Sequence, residues 1–140
     1  YINAVNAIAT KTTFAEKKAA ITAAIALKAE GDVLGVEGVV EANIALTAAE
    51  AEINFLEGSS TTLISLVEQI KAATTLSEKR ELIHLANTAA ENAEDTYTGV
   101  SAAKADLATA IAAFEADVAA ANAALDSALK SAQTIAYSIG

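Results

Sequence analysis

The 140-residue chain contains no cysteine, no proline, no methionine and no tryptophan. Without cysteine there is neither a disulfide framework nor a thiolate metal site, and redox chemistry gives no clue to compartment. Without proline, nothing in the backbone forces a helix to stop. Aromatic residues make up only 4% of the chain, three Tyr and three Phe, so any core must be built from aliphatic side chains. Positive charge is scarce too. Nine Lys and Arg stand against 18 Asp and Glu, a formal net charge of -9. That balance argues against a nucleic-acid partner, whose phosphates need Lys and Arg, and against docking on anionic lipid. Strand signals are missing: no alternating Val/Thr/aromatic run is bounded by Asn-Gly or Asp-Gly turns. No charge-free apolar run approaches the ~20 residues of a bilayer-spanning helix, so no membrane-spanning segment is expected.

What the chain has is alanine, 37 residues of it. Alanine loses no side-chain entropy in a helix, so long uninterrupted helices are favoured. It also has a phrase that occurs twice. Thr12-Thr13-Phe14-Ala15-Glu16-Lys17-Lys18 returns as Thr74-Thr75-Leu76-Ser77-Glu78-Lys79-Arg80, and each copy ends three residues later on Ile21 or Ile83. Thr13 with Glu16, and Thr75 with Glu78, have the spacing of a capping box. The Thr hydroxyl accepts from the third backbone N–H, and the Glu reaches back to the Thr N–H. Two helix starts are therefore expected, at equivalent places in the two copies.

Read in order, Ile2, Val5 and Ile8 give the apolar stripe of a short first helix. The second helix runs from the Thr13 cap to about Glu30, with Phe14, Ile21, Ala24, Ile25 and Lys28 on its inner and boundary face. Gly31–Gly38 holds three of the six glycines and reads as a loop whose Val33, Leu34 and Val36 fold back over the core. A third helix, from about Val39 to Leu56, is expected to face inward with Val40, Ile44, Ala48, Ala51 and Phe55. Gly58-Ser59-Ser60-Thr61-Thr62 lowers helix propensity sharply and reads as a turn, a kink or a hinge. The pattern then restarts: Leu63, Ile64, Val67 and Ile70 match Tyr1, Ile2, Val5 and Ile8 at the offset that relates Thr75 to Thr13. Leu76, Leu82, Ile83 and Ala86 line a helix that ends near Ala93. Gly99-Val100 matches Gly38-Val39 after one deletion. The second seam, Ala120–Ala124, favours helix strongly. One long helix from about Val100 to Tyr137 is therefore expected, with Leu107, Ile111, Phe114 and Val118 inside. Leu125 lies as far beyond Leu63 as Thr75 lies beyond Thr13.

The fold class read from this pattern is all-α: tandem three-helix-bundle repeats with a period of about 62 residues, forming an elongated array. Residues 1–60 form repeat 1, 61–122 repeat 2, and 123–140 the first helix of a third repeat, which shares the long C-terminal helix. The chain opens at Tyr1 without an initiator Met or a basic-then-apolar leader, as expected of a segment whose targeting signals lie outside it.

Chemistry is sparse. His84 is the sole histidine, and one turn after Arg80 it reads as an exposed polar-face residue rather than a general base or pH switch. No Gly-x-Ser-x-Gly, phosphate loop or His-Glu-x-x-His occurs. Glu91, Glu94 and Asp95 would suit a hard cation such as calcium, but their spacing is not that of an EF-hand, and solvated helix-end acids are the simpler reading. Tyr97 and Leu34 occupy equivalent loops, as ligand-contacting tips or as plugs over a bundle end. No residue is assigned as catalytic, cofactor-binding or metal-binding, and no cofactor is expected.

Residues Ala105–Leu125, with Leu107, Ala110, Ile111 and Phe114 in the order L-x-x-A-I-x-x-F, resemble the closing helix of FIVAR modules. These are alanine-rich three-helix repeats of large bacterial surface and extracellular proteins. The stretch Ala45–Phe55 of the first repeat departs from that spacing. The resemblance implies a stalk, spacer or ligand-contacting module at the cell surface or outside the cell, with no catalytic residues to transfer. The expected role is a non-enzymatic structural, spacer or adhesion segment, self-assembly included, whose partners are neighbouring repeats, like chains or an unidentified surface ligand. The alternative is a helical-bundle carrier of a small apolar ligand or lipid. If the helix starts are placed correctly, Thr13→Ala and Thr75→Ala should each lower the free energy of unfolding by about 0.5–2 kcal/mol, measured by urea denaturation.

Overall fold

A computed structural model describes residues 1–139. It is all-α, with no strand among the described residues. The elements in order are α1 (Ile2–Ile8), α2 (Phe14–Leu34), α3 (Val39–Ala72), α4 (Leu76–Asn92) and α5 (Val100–Ile139). Both repeated phrases start helices. Thr13 and Thr75 sit in extended backbone, and their hydroxyls accept from the N–H groups of Glu16 at 3.2 Å and Glu78 at 3.1 Å. The glutamates also place negative charge in the first turn, where the helix dipole favours it.

The first departure from expectation is at Gly31. The helix does not end near Glu30 but continues to Leu34. Gly31 is buried in its interior because the Tyr1 ring lies directly on it. A Cβ there would come within 2.7–2.9 Å of Tyr1 side-chain atoms. This glycine makes room for an aromatic ring and does not mark a turn. The loop shrinks to four residues, closed by Gly35 in the left-handed conformation with its N–H on the Gly31 carbonyl. Val33, Leu34 and Val36 do not fold back over the core; all three are exposed. Ile25, expected on the inner face of α2, is likewise exposed.

The second departure is α3. The stretch Gly58–Thr62 is not a turn: 34 residues form one α-helix through it. Its inward face is also not the expected one. Val40, Ile44, Ala48, Ala51 and Phe55 are exposed, Val40 at 68%. The buried stripe is Val39, Ala42, Leu46 and Ile53, continuing through Ser60, Leu63, Val67 and Ile70. With the partly buried Ala49 and Leu56, the steps alternate 3 and 4 from Val39 to Ile70, an unbroken heptad seam. The stripe keeps its phase across the glycine and serines, and burial of that face outweighs their poor helix propensity.

The other helices pack on this spine as two hydrophobic cores. Val5, Phe14, Ile21 and Ala24 of α1 and α2 gather on Ala42, Leu46 and Ile53 of α3. Leu63, Leu66, Val67 and Ile70 of α3 meet Ile83, Ala86 and Ala89 of α4 and Val100, Ala103 and Leu107 of α5. Gly38 and Gly99 stand immediately before α3 and α5 with φ of +94° and +93°. Each lies against an isoleucine, Ile2 or Ile64, whose Cδ1 would be 3.3 or 3.2 Å from an added Cβ. α5 begins at Val100 as expected, with Leu107 buried and Ile111, Phe114 and Val118 partly buried. Beyond Val118 every described residue is exposed.

Nothing lies within 4 Å of a Cβ built on Gly58. In a continuous helix, Gly58→Ala should therefore raise the unfolding free energy by about 0.5–1 kcal/mol. Gly31→Ala should give no such gain, because its methyl group meets the Tyr1 ring. Parallel urea titrations of the two variants are the check.

Candidate functional site

Three places on the molecule offer more than core packing: the junction between the cores, a groove between α3 and α4, and the uncovered half of α5.

The junction is built by the α4–α5 connection, residues 93–99. Ser60, at the centre of the α3 seam, is fully buried, and its Oγ accepts the backbone N–H of Glu94 at 3.0 Å. A buried hydroxyl is tolerated there because it has this partner. Glu94 Oε1 in turn accepts from the Thr96 hydroxyl at 2.9 Å. The Thr96 hydroxyl oxygen accepts the Phe14 N–H at 2.8 Å, which occupies a free donor at the first turn of α2. Tyr97 packs against both cores and meets the Phe14 ring edge-on, with centroids 4.9 Å apart at 74°. The connection is thus a clasp between α2 and α3. Tyr97 sits between the two cores and does not plug a bundle end, and Leu34, its expected counterpart, is exposed.

At the far end of the first core the Tyr1 hydroxyl donates to Asn43 Oδ1 at 2.6 Å, and Asn43 Nδ2 donates to Asp32 Oδ1 at 2.9 Å. Lys28 Nζ donates to Asp32 Oδ2 at 2.7 Å. The bond from Lys28, and then that from Asn43, hold the Asp32 carboxyl below its ordinary range, and Lys28 is raised in turn. Lys71 is raised by Asp106 first and Glu68 second. These groups are solvated, so screening keeps their contribution small. Asn43–Asp32 ties α3 to α2 and Lys71–Asp106 ties α3 to α5, while Lys28–Asp32 and Lys71–Glu68 lie within single helices.

A shallow groove of about 520 Å³ runs between α3 and α4, lined by Phe55, Gly58, Thr62, Leu66, Leu85 and Ala89 among others. Gly58, by lacking a side chain, keeps it open. A larger open concavity beside Phe14, Lys18 and Tyr97 faces solvent. Lys18 closes part of it, with its Nζ 3.2 Å from Glu57 and 5.8 Å from the centroid of the Phe14 ring.

The residues weighed for chemistry do not converge. His84 is exposed on α4. Glu94 is engaged with Thr96, and Asp95 with Lys104. Among the described residues no three His, Asp or Glu side chains gather as a metal site. Sequence reasoning misses Ser60. Its signal is the 3-4 spacing on either side of it, but a polar residue in a stretch of low helix propensity reads as a break.

α5 is long and apolar enough, by length and composition, to cross a membrane. Much of that apolarity is alanine. Glu115 and Asp117 lie in its middle, at positions where an Asp costs about 2.5–3.5 kcal/mol in a bilayer. Its first part, Val100 to Phe114, is built into the second core.

No protein-family model, no curated protein and no solved structure matches the chain.

Ser60→Ala removes the acceptor of the Glu94 N–H. It should cost about 1–3 kcal/mol, whereas Ser65→Ala on the exposed face should stay within about 0.5 kcal/mol. Chemical denaturation of the two variants separates them.

Proposed function

We propose that the protein is a non-enzymatic structural segment: a spacer or adhesion stalk of tandem three-helix units joined through shared helices, belonging to a repetitive surface or extracellular protein. One observation supports this most: a single helix, α3, supplies the inner face of two successive cores. In such an array each unit is fixed to the next by continuous helix, which resists bending better than a flexible linker. Residues 1–60 and 61–122 are the two units of this reading, and 123–140 the first helix of a third.

The paired details fit the period read from the sequence. Caps at Thr13 and Thr75, and glycines at φ of +94° and +93° against Ile2 and Ile64, recur with the same geometry. The resemblance of Ala105–Leu125 to FIVAR modules points the same way, towards the cell surface or the extracellular space. The polar network is spent on fastening helices, which suits a mechanical role. Small-angle X-ray scattering is the test. A rod-like pair-distance distribution is expected, and a compact, symmetric one would sink the reading.

The groove beside Gly58 favours a second reading, a carrier of a small apolar ligand. Under that reading a long-chain fatty acid binds stoichiometrically, and the binding is lost in Gly58→Leu. Under the structural reading, titration of the protein with the fatty acid gives no saturable heat.

A further inference from the structure

From Val118, itself partly buried, to its end, the second half of α5 presents an apolar stripe that nothing else covers. Val118, Ala121, Leu125, Ala128, Ala132 and Ile135 recur at alternating steps of 3 and 4, the spacing of a coiled-coil seam. These side chains are of core type. Leu125 in the stripe and Leu129 beside it are 59% and 55% exposed, whereas Leu63 and Val67, the residues that match them in the sequence pattern, are 0% and 2% exposed beneath α4 and α5. A contiguous uncovered face of this length marks an interaction surface.

We propose that this face pairs with the same face of a second copy, the two α5 helices running antiparallel about a twofold axis between residues 126 and 127. Three observations select that occupant. The first is charge. The chain carries -9 overall, yet from Val118 to Ile139 the only charged residues are Asp126 and Lys130. These two pair with each other along one helix at 3.1 Å and fall outside the seam. It is the stretch two acidic molecules can bring together with least repulsion.

The second is the fit of the layers. In antiparallel pairs a positions of one helix pack on d positions of the other, and the stated axis sets Val118 against Ile135, Ala121 against Ala132, and Leu125 against Ala128. At the centre each leucine faces an alanine, so bulk meets space in both directions, and the Ala–Ala layers let the backbones approach. The twofold makes the contact self-complementary and closed. The third is reach. The same register sets Ile139 beside Phe114 of the other copy, where the partly buried Phe114 packs against the second core. The paired length is therefore the uncovered length, about 35 Å of helix at 1.5 Å per residue, and this register puts the two sets of cores at opposite ends of it. In the tandem reading the same face seats a following unit, and pairing with a second copy is the competing cover for it. The pairing is argued from the uncovered stripe alone, and it competes with a following unit for that stripe.

Sedimentation equilibrium of the full chain should give a dimer. Leu125→Lys with Ile135→Lys should raise the dissociation constant at least about 100-fold while leaving the helical circular dichroism and the urea transition in place. The natural chain has no cysteine, so Ser138→Cys gives one spin-label site per copy. The antiparallel register separates the two labels by about 35 Å along the axis, and a parallel pair would bring them within about 20 Å. A monomer at every loading, an assembly that grows beyond the dimer, a short label distance, or a monomer that floats with phosphatidylcholine vesicles would each overturn the proposal. Scattering of the monomeric double-lysine variant reports on the rod separately, so a failed dimer and a failed spacer remain distinguishable.

Discussion

A single stripe of side chains down α3 holds both hydrophobic cores. From Val39 to Ile70 its members alternate at steps of 3 and 4, and α1, α2, α4 and α5 are all placed by contact with it or with what it covers. Alanine-rich helices bury little area per residue, at ~25 cal/mol per Å². Stability is therefore concentrated in a few larger positions, chiefly Leu46, Ile53, Leu63 and Ile70 on this seam, with Phe14, Ile21 and Leu107 facing it. The stripe also explains why a glycine, two serines and two threonines can sit in mid-helix without ending it. Propensity there is weak, but Ser60 keeps the heptad phase and has a hydrogen-bond partner just beyond the end of α4.

The parts of this fold legible in the sequence are those decided locally. Helix starts at Thr13 and Thr75 follow from side chain to backbone bonding within a single turn, and the geometry agrees. The absence of strand signals and the length of α5 follow from composition. The illegible parts depend on contacts between residues far apart. Gly31 reads as a terminator until Tyr1, at the other end of the first core, is placed on it. The inward face of α3 is misread from sequence because its exposed face, with Val40, Ile44 and Phe55, is bulkier than the Ala42 and Ala49 positions of the true seam. Hydrophobic size favours the wrong stripe. The phase shared with Leu63, Val67 and Ile70 identifies the right one. The clasp of Ser60, Thr96 and Tyr97 leaves no local signal at all, because hydroxyls in helices and loops are usually solvated.

The bulkier face of α3 has its own significance. The helix is apolar on two sides: one holds the cores together, and the other, with the groove beside Gly58, faces solvent. The uncovered half of α5 repeats the pattern further along the chain. Both are apolar faces on helices whose opposite or preceding faces are already used for core packing.

The continuity of α3 has a kinetic meaning as well. The first turn is the unfavourable step in forming a helix, and each residue added afterwards is cheap. Two cores on separate helices would face that barrier twice. Here whichever core forms first hands the other a helix already nucleated, with its seam in register. Folding of such a chain is propagation along one axis, and the Gly58–Thr62 stretch sets the threshold that each advance must cross.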